Sequence, residues 1–336
     1  MIATIRTRIA PVLTVSLLLL LTACIQRKQS EEIETSGKYL GQTAPSHGCS
    51  LFASGVVSTG LDERDLALTP DGKEIFYTIV APNRFVIMQV KQVDSVWKRP
   101  QVAPFSGRHN DLEPFVTPDG SRLYFSSDRP APQSDSNGYD IWYVDKIDDQ
   151  WGEPVNIGEP VNTPADEFYP SLTASGVLYY TGQREGGFGN DDIYRALPED
   201  GGFAEPQNLG DQINTPGMDF NAYISPDETY LLFGGWNRPD GLGSGDIYHS
   251  RRIDDSTWSA AVNLGEPVNS DMLDFCPTVS PDGSLLFFSS RRTDPELDSI
   301  PLLDAGTLRK YSTRAQNGEG DIYWMSASFL DTLNRR

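Results

Sequence analysis

Cysteine and histidine are scarce, three of each in 336 residues, and basic residues are outnumbered, 27 Lys and Arg against 47 Asp and Glu. Each shortage excludes something. Three cysteines cannot staple a disulfide scaffold, and three histidines leave little material for a His-rich metal site or for histidine-based catalysis. A formal net charge of −20 denies nucleic acid the basic footprint that its phosphates require, so none is expected as a partner. Also missing is any sustained 3.6-residue periodicity, which excludes a solenoid of helix pairs. What is present in quantity is 30 Gly and 24 Pro, beside 38% hydrophobic and 10% aromatic residues. That mixture describes many short strands around a substantial core.

At the N-terminus, Arg6 and Arg8 precede an apolar run from Ile9 to Leu21, which closes in Leu21-Thr22-Ala23-Cys24. The run is too short for a comfortable membrane span. Its layout resembles the signal and lipobox of bacterial lipoproteins, with an uncleaved signal anchor as the alternative. The resemblance implies a signal peptide over 1–23 and a membrane partner through lipid on Cys24. With Ile25 rather than Asp after the cysteine, it implies an outer-membrane address facing the periplasm. Residues 24–44 then form a lipidated cysteine and a polar, flexible tether, roughly 25 Å as a coil. A propeller occupies 45–330 and a tail 331–336.

The rest of the chain repeats. One copy reads Thr117-Pro118-Asp119-Gly120, then Leu123 to Ser127, then Asp140-Ile141-Trp142-Tyr143, then Trp151 to Gly158. Pro-Asp-Gly is a tight turn and the flanking apolar runs are strands, the Trp segment being the more polar outer one. The turn recurs at Pro70, Ala174, Pro226 and Pro281. The third strand recurs at Asp192, Asp246 and Asp321, and the outer strand at Trp97, Phe203 and Trp258. Copy five carries an insertion over about 293–318 and lacks an outer strand. The segment from Ser50 to Gly72 aligns without gaps on Pro154 to Gly176 and can supply it. The expected fold is all-β, a five-bladed propeller of four-stranded antiparallel blades closed by an N-terminal strand, with six blades as the alternative. From Leu51 to about Phe329 the repeats resemble the WD-like propeller repeats of TolB and its relatives in bacterial envelopes.

Two sets of repeated residues are candidate sites. Glu63, Asp111, Glu167, Asp219 and Asp274 form an acidic column just before the first strand of each blade. This column either rings the channel mouth, ready for a cation, a basic segment of a partner or glycan hydroxyls, or caps backbone amides between blades. Arg129, Arg184, Arg238 and Arg292 after strand two face Asp140, Asp192, Asp246 and Asp321 opening strand three, and are expected to pair across the hairpin. Departures from symmetry mark further positions: Trp236, the insertion, His109 and His249. Loop aspartates such as Asp128, Asp135 and Asp191 lack calcium-loop spacing, so no cofactor is expected, calcium being the weak exception. Cys276, in an inner strand, is expected as a buried free thiol rather than a disulfide partner of Cys49.

Two functions remain. One is a non-enzymatic lipoprotein whose propeller is a binding platform for an envelope protein or a glycan. The other is a glycosidase-type enzyme using channel-facing carboxylates, which requires two carboxyls in unlike environments. No Ser-His-Asp set, Gly-x-Ser-x-Gly elbow or zinc-binding His motif is visible.

Overall fold

Five antiparallel sheets make a five-bladed propeller in the computed structural model, which describes residues 33, 35–131, 138–299 and 304–334. The signal segment, Cys24 and Asp135 lie outside the described residues. Inner strands are Asp62–Leu68, Asp111–Val116, Glu167–Leu172, Met218–Ile224 and Asp274–Val279. Each turns back through its Pro-Asp-Gly corner or the degraded equivalent into a second and then a third strand. In the corners, Asp71 accepts from the Thr69 hydroxyl and the Lys73 amide, and Gly72 takes the left-handed φ of +67° that a β-carbon disfavours. Aromatic and branched residues of the middle strands, Phe76, Phe125, Tyr179, Phe233 and Phe287 among them, are fully buried between neighbouring blades.

Ring closure follows the expected scheme. Ser50–Leu51 pairs with Asp321–Ser326, so the N-terminal segment is the outer strand of blade five, and the chain then runs directly into the inner strand of blade one. The register differs from the gap-free alignment by one residue. The Phe52 amide bonds to the Ile322 carbonyl as the Ile157 amide does to Ile141, whereas Ser58 occupies the place of Asn162. One extra residue therefore lies between strand and clamp.

Two other expectations change. In blades one and two the outer strand is two pieces: Val96–Trp97 and Gln150–Trp151 pair with the far end of strand three, Gln101–Val102 with its middle and Val155–Asn156 with its earlier half. Pro100 and Pro154 separate the pieces because proline cannot donate to the ladder. The chain also docks before residue 45. The Ile33 amide bonds to the Trp97 carbonyl, a 3-10 turn forms at Tyr39–Gly41, and Leu40 is buried against blades one and five.

Candidate functional site at the channel mouth

The acidic column is buried and fully engaged, with all five carboxylates 0% exposed. Glu167 accepts from the Thr163 amide at 3.0 Å and its hydroxyl at 2.5 Å, and Glu63 bonds to Thr59 in the same way. Asp219 and Asp274 do the same with Thr215 and Ser270, and Asp111 accepts from the Ser106 and Ser127 hydroxyls. Burial pushes Glu63 and Glu167 up to about 8 against the opposing hydrogen bonds of Thr59 and Thr163. These carboxylates are not a ring open to a ligand.

The arginine column pairs with that acidic column rather than with strand three. Arg129 reaches Asp111, Arg238 reaches Asp219 at 2.7 Å and Arg292 reaches Asp274 at 2.7 Å, while Arg184 bonds to the Val161 carbonyl and to Glu205. The reason is aromatic. Each guanidinium lies over rings of strands two and three, Arg238 at 4.5 Å from Tyr248 and Arg292 at 4.9 Å from Tyr323, and this aims it back at the inner strand. The strand-three aspartates serve elsewhere. Asp192 accepts from the Phe188 and Gly189 amides and from Asn208, Asp140 from Asn156, Asp246 from the Leu242 amide and Asp321 from the Gln316 amide.

The channel is instead lined two residues further on. Every inner strand carries a β-bulge, and there Asp65, Glu113, Tyr169, Asn221 and Cys276 all adopt left-handed φ, from 49° at Tyr169 to 60° at Asp65. A bulge re-aims a side chain, and these five belong to one network. Arg64 Nε donates to both Asp65 oxygens at 2.7 and 2.8 Å, and its Nη2 donates to Glu113 at 2.9 Å and to Cys276 Sγ at 3.4 Å. Cys276 donates to Asn221 Oδ1, and Asn221 Nδ2 donates to Glu113 at 3.2 Å. Glu113 also accepts the Tyr169 amide at 2.7 Å, and the Tyr169 hydroxyl donates to the Pro277 carbonyl. Burial, against the pull of Arg64, pushes Glu113 up to about 7. Burial likewise raises the Cys276 thiol, and Cys49 and Cys276 are both free.

Above this floor opens a cavity of about 360 Å³, walled by Phe85, Tyr139, Phe168, Phe220, Trp236 and Phe275 with Arg64, Arg291 and Asp191. Phe85, Tyr139 and Phe168 form a continuous row, with centroids 6.4 and 5.1 Å apart. Trp236, singled out as a break in symmetry, belongs to this wall. His249 does not: it stacks on Tyr230 and bonds to Asn334. His109 lies in the connection before the second inner strand. The described part of the insertion packs against the Gly60 loop through Asn317, with Arg314 paired to Asp294. Asp128 accepts from Asn110, and Asp191 from Gln183. Among the described residues, no group of three or more His, Cys, Asp or Glu is arranged to hold a metal ion.

The floor residues are hidden in the sequence because likeness between copies does not mark them. The legible signal was the opposite one: two positions after an all-acidic column stand Asp, Glu, Tyr, Asn and Cys.

The fold and this site define a five-bladed propeller with an aromatic-walled mouth over a closed polar floor. No family model and no curated protein matches the chain. Among solved structures it is similar to one named as a glycoside hydrolase, 8% identical over 91% of this chain and 95% of that one, with a TM-score of 0.51. TolB from Acinetobacter baumannii is 16% identical over 79% of this chain and 54% of that one, with a TM-score of 0.45. A GH43 endo-arabinanase from Bacillus licheniformis is 13% identical over 78% and 93%, with a TM-score of 0.47. At such identities the likeness is one of fold. No helix of the described residues is long and apolar enough to cross a membrane.

Proposed function

We propose that this chain is a non-enzymatic binding protein of the bacterial envelope, anchored to the outer membrane through lipid on Cys24, whose channel mouth captures a protein or glycan partner. The observation that carries this is the division of labour at the mouth. Its charged floor is spent on internal bonds, while six aromatic residues wall the cavity above it. Aromatic walls supply large contact area at small conformational cost, and suit both sugar faces and apolar side chains.

The glycosidase reading has one observation in its favour. Glu113, pushed up to about 7 by burial, shares Arg64 with the channel carboxylate Asp65, and a raised carboxyl beside a second one is what a general acid requires.

A glycan array combined with an envelope pull-down separates the two. On the binding reading, Trp236→Ala or Phe168→Ala weakens capture of the recovered partner about 30-fold, the cost of losing an interface hot spot of roughly 2 kcal/mol. The ligand emerges unchanged. Release of cleaved product by the parent protein, lost in Glu113→Gln while capture persists, overturns this reading and establishes the enzyme.

A further inference from the structure

The N-terminal segment docks on one face of the propeller. Third strands run from the mouth toward the Pro-Asp-Gly corners, and Val96–Trp97 pairs with the far end of blade one's third strand, at Gln92 and Val93. There the Ile33 amide donates to the Trp97 carbonyl at 3.1 Å and the Trp97 amide to Thr35 at 3.2 Å, while the Trp97 indole donates to the Gly37 carbonyl at 2.8 Å. Lys38 lies 3.8 Å from Asp282 in the blade-five corner. The chain therefore joins the propeller on the corner face, opposite the mouth.

Chain length turns this into an orientation. From Cys24 to Ile33 there are nine residue steps, at most about 32 Å when fully extended. The third strand Arg84–Val93, ten residues, is itself about 30 Å long from corner face to mouth. To lay the mouth on the anchoring bilayer, the segment would consume its whole reach climbing the side of blade one, with nothing left to enter the lipid. With the corner face toward the bilayer, the docking point at Trp97 is itself on the side nearest the lipid.

We infer that the lipid-anchored protein holds its Pro-Asp-Gly corners toward the membrane and presents its channel mouth away from it, to a soluble macromolecule rather than to lipid. This rests on the lipid-anchor reading of Cys24. Exposed apolar residues on the mouth side, Leu61, Phe188 and Leu242 among them, then face the partner and not the bilayer.

Energy transfer to an acceptor lipid tests it. The full chain, produced in a bacterial host with Cys49→Ser to leave a single reactive thiol, carries a donor dye on Lys73→Cys at a corner or on Leu242→Cys at the mouth. The purified lipoprotein is placed in vesicles containing the acceptor lipid. Transfer at least about twofold more efficient from position 73 than from 242 is expected, since efficiency falls steeply across a strand-length separation. Equal or reversed efficiencies overturn the orientation. The mass of the mature chain is read separately: a chain without lipid on Cys24 overturns the anchor and with it the orientation in the cell, whatever the vesicle result.

Discussion

At the scale of single residues, the acidic column divides by side-chain length. Glu63 and Glu167 spend one oxygen on the Thr59 or Thr163 amide and the other on its hydroxyl, and among the described residues neither makes an ion pair with an arginine. The three aspartates each take an arginine. The two classes carry different pH signatures. Glu63 and Glu167 are pushed up to about 8 by burial, while in the unfolded chain they ionise near the ordinary value. Their stabilising contribution is therefore complete below the unfolded pKa and is lost as pH rises through about 8. Each adds a slope of at most about 1.4 kcal/mol per pH unit across that window. Urea unfolding from about pH 5 to about pH 8 should show stability falling, and Glu167→Gln should fall less steeply than the parent. An equal slope in the variant would assign the pH dependence elsewhere. Asp274→Asn acts differently, because it leaves Arg292 partly buried without its counter-charge. It should cost about 3 kcal/mol across that whole range.

At the scale of elements, blades are joined by a polar clamp that repeats around the ring. Asn162 accepts the Ile141 amide at 2.9 Å and donates to its carbonyl at 3.0 Å; Asn214 treats Ile193 likewise, and Asn269 treats Ile247. Ser58 does the same for Ile322, and Ser106 accepts the Ile87 amide. Asn214→Ala would strand the buried Ile193 amide, while the Ile193 carbonyl keeps the Leu209 amide, and should cost about 1–3 kcal/mol, measurable by urea unfolding; a loss below about 0.5 kcal/mol would mean that water replaces the amide at little cost. The elements themselves were legible in the sequence, because Pro-Asp-Gly corners and apolar runs are local chemistry. The bulges were not. A bulge re-aims side chains against the alternation that strand reading relies on, so Glu63 and its equivalents stood as either channel ring or caps on backbone amides, when the residues aimed into the channel are Asp65 and its equivalents. The hairpin pairing of Arg129 with Asp140 failed for a related reason. Sequence spacing placed the two at opposite ends of one connection, but the rings of Phe125 and Trp142 beneath the guanidinium turn it inward. Residues 33–44 read as tether because their composition is polar, and composition does not reveal that a single Leu40 finds a core.

At the scale of the whole molecule, the ring is closed by one short element, and its stability should be coupled across the seam. Phe52 follows the closing strand, is 0% exposed, and meets Phe287 and Trp324 edge-on with centroids 5.2 Å from each. Its chain continues within ten residues into the inner strand of blade one, at Asp62. The seam thus ties the last blade to the first by covalent connection as well as by packing, whereas Phe125, equally buried, sits within blade two. Truncating either ring should cost a similar amount, about 3–5 kcal/mol. The distribution of the loss should differ. With Phe52→Ala, amide exchange should accelerate in the blade-five strands Leu285–Ser290 and Asp321–Ser326 and in the blade-one strand Asp62–Leu68 together, because releasing the closing strand opens a sheet edge and frees the start of the next blade. With Phe125→Ala, acceleration should centre on blade two and the neighbours that pack on it. If both substitutions produce the same exchange pattern, the ring opens as one cooperative unit from any point and the seam has no special place in it.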